Sequence, residues 1–422
     1  MASGSGRRVA FGSVVALCLV VAGLGPARAE EKPADKEKPA DKAQPADKAK
    51  PETQVDASKG GFTIRSGDNS VTFGAYTWIR GTFDDRENYD ADAKGTLGYG
   101  TEDGLSPAFD VNRVRLSFRG TMFKPWVKYY FAFEIGRTSG DNASKIKDAY
   151  LELGKEKLAV RFGQYKVPFG LQENAPDWGQ QLVDRSLADY TFTPSRDTGV
   201  ILLGTGHGKK LGYAVGAFNG SGECRVQNNR ALMWVGRVWA DPLGEYKLSE
   251  SAVDAPAKST VHVGMAFRGG DGMKGGQAGV VQDVNDQTAV GVELAYKGHG
   301  AFLAGETFWQ QDEVNNPKPG PDVRSFGWYV QGGYMVVAKR LELAARYSEV
   351  DPNRAAPSDR ATEARGGVNY YWKGHNVKIQ ADAGQLTYEP KAPGRNDASR
   401  LPAAANTKIT DFQLRLQLQL YF

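Results

Sequence analysis

Cysteine is almost missing: the 422 residues hold 2, Cys18 and Cys224. Cys18 lies in an apolar N-terminal stretch that reads as removable, and one remaining cysteine forms no internal disulfide. The fold must therefore be stable without covalent cross-links. A membrane-spanning helix needs about 20 consecutive apolar residues. After residue 25 the chain has no such run, which excludes a helical membrane protein. Histidine numbers only 4, at positions 207, 262, 299 and 375, scattered and mostly in predicted turns. No metal-ligand spacing is readable, and no histidine has an evident catalytic partner. The stretch GTGHGKK at 204–210 has Leu203 where a phosphate loop has its first glycine and Lys210 where it has Ser or Thr, so it reads as a turn. No G-x-S-x-G nucleophile elbow is present. The expectation is no enzyme, no metal and no cofactor.

A charge excess is lacking too. The first 29 residues carry three of the 53 basic residues and none of the 49 acidic ones, leaving 50 against 49. Global charge does not point to nucleic acid as a partner. Any charge selectivity has to come from local placement.

The N-terminus has the parts of an export signal. Arg7 and Arg8 precede the apolar run VAFGSVVALCLVVAGLG, and Ala27-Arg28-Ala29 fits a small-residue cleavage site. Residues 1–29 are expected to be a signal peptide cut after Ala29. Residues 30–60 follow as a spacer, with Pro33, Pro39, Pro45 and Pro51 six apart among Lys, Asp and Ala. With nothing apolar to bury, this segment is expected to be an extended or disordered periplasmic linker.

From about residue 61 the pattern has a period of two. The chain closes with FQLRLQLQLYF at 412–422, where Leu and Phe alternate with Gln and Arg to the last residue. Sixteen such segments are readable: 71–83, 110–121, 126–136, 146–153, 157–163, 197–205, 210–219, 230–241, 258–268, 287–297, 300–311, 323–337, 340–348, 361–372, 375–387 and 409–422. Long and short connections alternate between them, with 242–257 as the one misfit. An even number of alternating strands of about 9–11 residues, with short turns on one side and long loops on the other, describes an outer-membrane β-barrel. Only a closed ring satisfies every backbone hydrogen bond in lipid. One row of each strand then faces lipid and the other a wet lumen. In NRVRLSFRG, Val114, Leu116 and Phe118 point out, and Arg113, Arg115, Ser117 and Arg119 point in. Aromatics crowd the strand ends, where the membrane interfaces lie.

The central block is more specific than this pattern. Gly163-Gln164-Tyr165-Lys166-Val167-Pro168-Phe169-Gly170-Leu171-Gln172, then Asp184-Arg185-Ser186-Leu187 and Pro194-Ser195-Arg196-Asp197-Thr198-Gly199, resembles the phosphate- and polyphosphate-selective porin family. Gln172 stands where Glu is usual. The strand Asn112-Arg113-Val114-Arg115-Leu116 and the segments WYVQGGYMV, LELAARYS, GGVNYYW and FQLRLQLQLYF resemble family strands in the same order. The resemblance spans about 61–422. It implies an all-β, 16-stranded antiparallel transmembrane barrel, a homotrimer, with the third loop folded inward to narrow the pore.

A pore does no chemistry; it needs fixed charges that lower the barrier for one sign of ion. Arg offers a bidentate fork and Lys a mobile point charge. The candidate pore-lining, anion-binding residues are Arg113, Arg115, Arg119, Arg161, Lys166, Arg185, Arg196, Arg237, Arg346, Arg365 and Arg415. Structural pairing with Glu134, Glu152, Asp184, Glu293 or Glu342 is the competing role for them. The segment after Lys166 carries Glu173, Asp177, Asp184 and Trp178 and no lysine, which argues against tight phosphate binding. The expected function is passive diffusion of small solutes, anionic ones such as phosphate preferred. A non-selective pore, a pore for another solute, and a structural barrel tethered to the cell wall through 30–60 stay open. The expected partners are such anions, outer-membrane lipid, and the barrel assembly machinery through the terminal Phe422.

Overall fold

The structure is a computed structural model. It describes residues 53–56, 61–86, 105–135, 145–227, 229–254, 258–274, 284–316, 321–392 and 408–422. The expected signal peptide and most of the expected linker lie outside the described residues.

Two short strands, β1 (Gln54–Asp56) and β2 (Phe62–Ser66), precede the barrel. The barrel strands are β3 (Asn69–Arg86), β4 (Leu105–Met122), β5 (Lys124–Glu134), β6 (Lys145–Lys155), β7 (Leu158–Lys166), β8 (Arg196–Gly206), β9 (Leu211–Phe218) and β10 (Met233–Ala240). They continue as β11 (Thr260–Lys274), β12 (Val284–Gly298), β13 (Ala301–Asn316), β14 (Val323–Val337), β15 (Leu341–Asp351), β16 (Ala361–Lys373), β17 (Val377–Tyr388) and β18 (Ile409–Tyr421). Each pairs antiparallel with its neighbour in sequence. The ring closes where β18 pairs with β3, from Asp411 opposite Arg86 to Tyr421 opposite Tyr76. Phe422 extends the seam by exchanging backbone hydrogen bonds with Ala75, both 2.9 Å. These sixteen strands match the sixteen alternating segments, most of them one to several residues longer than the pattern marks. β1 corrects one boundary: Gln54–Asp56 lies within the expected linker, yet pairs with Arg65 to Thr63 of β2.

Polarity is inverted relative to a water-soluble barrel. On β18, Leu414, Leu416 and Leu420 are exposed, while Arg415, Gln417 and Gln419 are buried. Such an arrangement is stable only where the outer surface meets hydrocarbon. Large aromatics mark both rims: Phe123, Trp126, Tyr334 and Trp372 toward the short turns, Phe83, Phe109 and Trp234 toward the opposite end. The connection that breaks the length pattern runs from 241 to 259 between β10 and β11. Tyr246, Ser249, Glu250, Ser251, Ala252 and Val253 within it are buried.

Candidate permeation site

The segment between β7 and β8 starts at Val167, whose N–H donates to the Ser195 carbonyl (2.9 Å) and pinches its two ends together. It contains two short helices, α1 (Leu171–Asn174) and α2 (Leu187–Phe192). Ser186 caps α2 by accepting from Asp189 N–H at 3.1 Å. A buried connection needs partners for its backbone, and inward side chains of distant strands supply them. Glu306 accepts from the N–H groups of Leu171 and Gln172. Asp382 accepts from Val183 N–H (2.9 Å) and Ser348 from Ala188 N–H (3.0 Å). Lys378, Asn369 and Arg346 donate to the carbonyls of Gln180, Gln181 and Asp184. Phe192 stacks on Phe308 at 5.6 Å, adding apolar contact at the far end.

The 241–259 connection meets this segment. Glu250 N–H donates to the Gly179 carbonyl (2.7 Å), and its carboxylate accepts from Gln172 Nε2 (2.7 Å), Gln181 N–H (3.0 Å) and Gln331 Nε2 (2.9 Å). The amide at Gln172 is therefore complementary to Glu250; a carboxylate there would face another carboxylate.

A cavity of about 770 Å³ remains against β3–β8. Its basic residues are Arg115, Arg119, Lys128, Arg161, Lys166 and Arg196; its acidic residues are Asp148, Glu152 and Asp177. Tyr76, Tyr129, Tyr130, Tyr150, Tyr165, Trp178 and Tyr421 supply its aromatic surface. Asp177 is the hub of the charges. Its carboxylate accepts from Arg113 (3.0 Å), Arg115 (2.8 Å), Lys166 (3.1 Å) and Arg185 (2.6 Å). Burial would push the Asp177 carboxyl up, but Lys166, Arg185, Arg115 and Arg113 outweigh it and hold it well below the usual carboxylate range. Asp184 is held low in the same way by Arg415 and Arg80. Asp189 goes the other way: burial and the adjacent Glu173 push it well above that range.

The structure separates the eleven candidates. Arg115, Arg119, Arg161, Lys166 and Arg196 line the cavity. Arg113 and Arg185 join it through Asp177. The other four sit in the packed part of the interior: Arg237 pairs with Glu293 (2.7 Å), Arg346 with Glu363 (2.7 Å), Arg365 with Glu363 and Asp382, and Arg415 with Asp382 and Asp184. Of the carboxylates expected to pair, Glu134 holds Arg113 and Arg115, and Glu152 holds Lys128 and Arg161. Glu342 departs from expectation: it accepts from Gln181, Asn369 and Tyr371 rather than from an arginine. His262 also departs, since it has partners in Asp241 (2.7 Å) and Glu293 (3.0 Å). Among the described residues no group of His, Cys, Asp and Glu could hold a metal ion.

Lys128, Tyr130, Asp148 and Tyr150 were not among the candidates. Their signal was available: 128, 130, 132 and 134 on β5 and 148, 150 and 152 on β6 share inward parity.

Sixteen antiparallel strands closed on themselves, apolar outside and charged within, define a transmembrane barrel of the porin type. The family model described as phosphate-selective porin O and P matches residues 85–422, and the chain belongs to that family of outer-membrane channels. Solved structures share the fold at low identity. OmpT of Vibrio cholerae aligns at 14% identity with TM-score 0.54, covering 85% of this chain and 100% of that one. An anion-selective porin from Comamonas acidovorans aligns at 14% and 0.53, covering 84% and 100%. The outer membrane channel DcaP of Acinetobacter baumannii aligns at 13% and 0.53, covering 83% and 97%. No curated protein sequence matches.

Proposed function

We propose that the protein is a passive diffusion channel preferring small anions, with the 167–195 segment folded inward as its constriction. The observation that carries this is the cavity charge: six basic side chains against three acidic ones. Like-signed excess on a low-dielectric wall raises the local concentration of the opposite ion. The preference is modest, because Asp177 neutralises the cations beside it. Family membership supports inorganic phosphate as one solute and a homotrimer as the assembly. Export with cleavage after Ala29 fits the same reading and is checked by the mass of the mature N-terminus. The test is reversal potential in a KCl gradient across a planar bilayer, with phosphate titrated against the chloride current. An anion-biased potential with weak phosphate block is the expected result; a cation-biased potential overturns the reading.

A further inference from the structure

The cavity wall is not only basic. On β5 and β6, Tyr130 and Tyr150 are direct cross-strand partners with rings 5.6 Å apart, and Tyr150 lies 5.6 Å from Tyr165. Directly opposite Tyr130 on β4 is Arg119. One pleat step toward the short turns, Thr121 faces Lys128, and Lys128 faces Glu152. One face of the Tyr150 ring is taken by the Arg161 guanidinium, 4.4 Å from its centroid. Opposite Tyr150 on β7 stands Gly163, which projects no side chain. Its φ of +126° and the closeness of the Ala149 carbonyl, 2.1 Å from where a Cβ would stand, keep that position open. Beside β5, on β3 and β4, the wall is Ser70, Thr72, Ser117 and Thr121, all short.

The cations differ in how much they can still offer. Arg115 is held by Glu134 and Asp177, Arg196 by Asp148, Arg161 by Glu152, and Lys166 by Asp177 and two carbonyls. Arg119 is exposed to the cavity and makes no ion pair among the described residues. Lys128 bonds Glu152 with only one of its protons, and its side chain is 46% accessible. The donors left for a solute are thus one guanidinium fork and one ammonium, Arg119 directly across from Tyr130 and Lys128 one pleat step along the same strand as that tyrosine. Inorganic phosphate, with four oxygens to satisfy, is poorly served there. A monocarboxylate is served by one fork, and a flat ring attached to it has tyrosine to stack on.

We infer that this wall is a binding step for aromatic carboxylates, the carboxylate on Arg119 and Lys128 and the ring against Tyr130 and Tyr150. The inference rests on the anion-channel reading and narrows its solute. The test is block of chloride current in planar bilayers by benzoate and by cyclohexanecarboxylate, equal in charge and close in size but only one of them aromatic. Benzoate is expected to half-block at a roughly three- to tenfold lower concentration, the range that ring stacking supplies. The double variant Tyr130→Leu/Tyr150→Leu brings benzoate to the level of cyclohexanecarboxylate, while Tyr130→Phe/Tyr150→Phe keeps the difference. Arg119→Gln raises the half-blocking concentration of both acids. Equal block by the two acids in the unaltered protein overturns the aromatic site and leaves the anion channel standing. Retention of the benzoate preference in the leucine variant overturns the assignment to these tyrosines. A cation-biased reversal potential in KCl alone overturns the anion-channel reading itself.

Discussion

The indole of Trp178 stacks on the ring of Tyr421, the penultimate residue, with centroids 5.1 Å apart and planes 8° from parallel. Gln419 of the same strand donates to the Trp178 carbonyl at 2.9 Å. One aromatic pair therefore ties the 167–195 segment to the strand that closes the ring. Such a pair contributes roughly 0.5–1.5 kcal/mol beyond its buried area. Trp178→Ala is expected to raise open-channel noise and conductance, because the 167–195 segment loses its aromatic tie to β18. Trp178→Phe should fall between the two. Single-channel recording decides; unchanged noise in the alanine variant removes the stack from any role in holding the 167–195 segment.

Asp177→Asn is expected to strengthen anion preference. One negative charge about 8 Å from a passing ion contributes roughly 0.5 kcal/mol in water, a two- to threefold change in relative permeability. Asparagine still accepts from one or two of the four cations, so the segment keeps part of its hold. The measurement is reversal potential in a KCl gradient, alongside heat-modifiable gel mobility as a check of folding. A shift toward cations contradicts the charge assignment.

The difference between wild type and that variant carries a pH signature. The folded-state pKa of Asp177 is lowered, so its ionic contacts are fully present above the unfolded carboxylate value of about 3.9 and are lost only as pH falls through the lower folded value. The gap in reversal potential is therefore expected to stay constant from pH 7 to pH 4 and to close only below that. Closure between pH 6 and pH 4 would mean that the carboxylate is not held by its four cations.

Gln172→Glu tests the lock between the two connections. It sets a second carboxylate 2.7 Å from Glu250 in a site where both residues are buried. Leaving such a group without its donor costs about 1–3 kcal/mol, more when it is charged. The barrel should lose its compact mobility in SDS at a lower temperature. Gln172→Glu/Glu250→Gln restores the amide–carboxylate pair with the partners exchanged and should recover most of the loss. No recovery would place the cost elsewhere.

Much of the fold was readable along the chain because lipid and water divide a strand with a period of two. Each residue of FQLRLQLQLYF declares its face by its own side chain, and Arg415, Gln417 and Gln419 are indeed buried beside exposed leucines. Strand number follows from counting such segments. The N-terminal β1 escaped because three residues, Gln54–Asp56, are too few to show a period and follow a proline-rich run.

The site was legible only by half. Inward parity marks Arg119 and Arg415 alike, yet Arg119 stands open in the cavity while Arg415 is clamped by Asp382 and Asp184. Nothing local distinguishes them. The difference arises because the 167–195 segment and the 241–259 connection pack against the inner faces of β11–β18, while they meet β3 and β4 through Asp177 and Asp184 and leave the cavity beside them open. Facing lumen or lipid is a property of each residue and its immediate neighbours, so the chain alone could specify it. Which lumen-facing charges meet solute depends on contacts between residues more than a hundred positions apart, and only the closed ring brings those together.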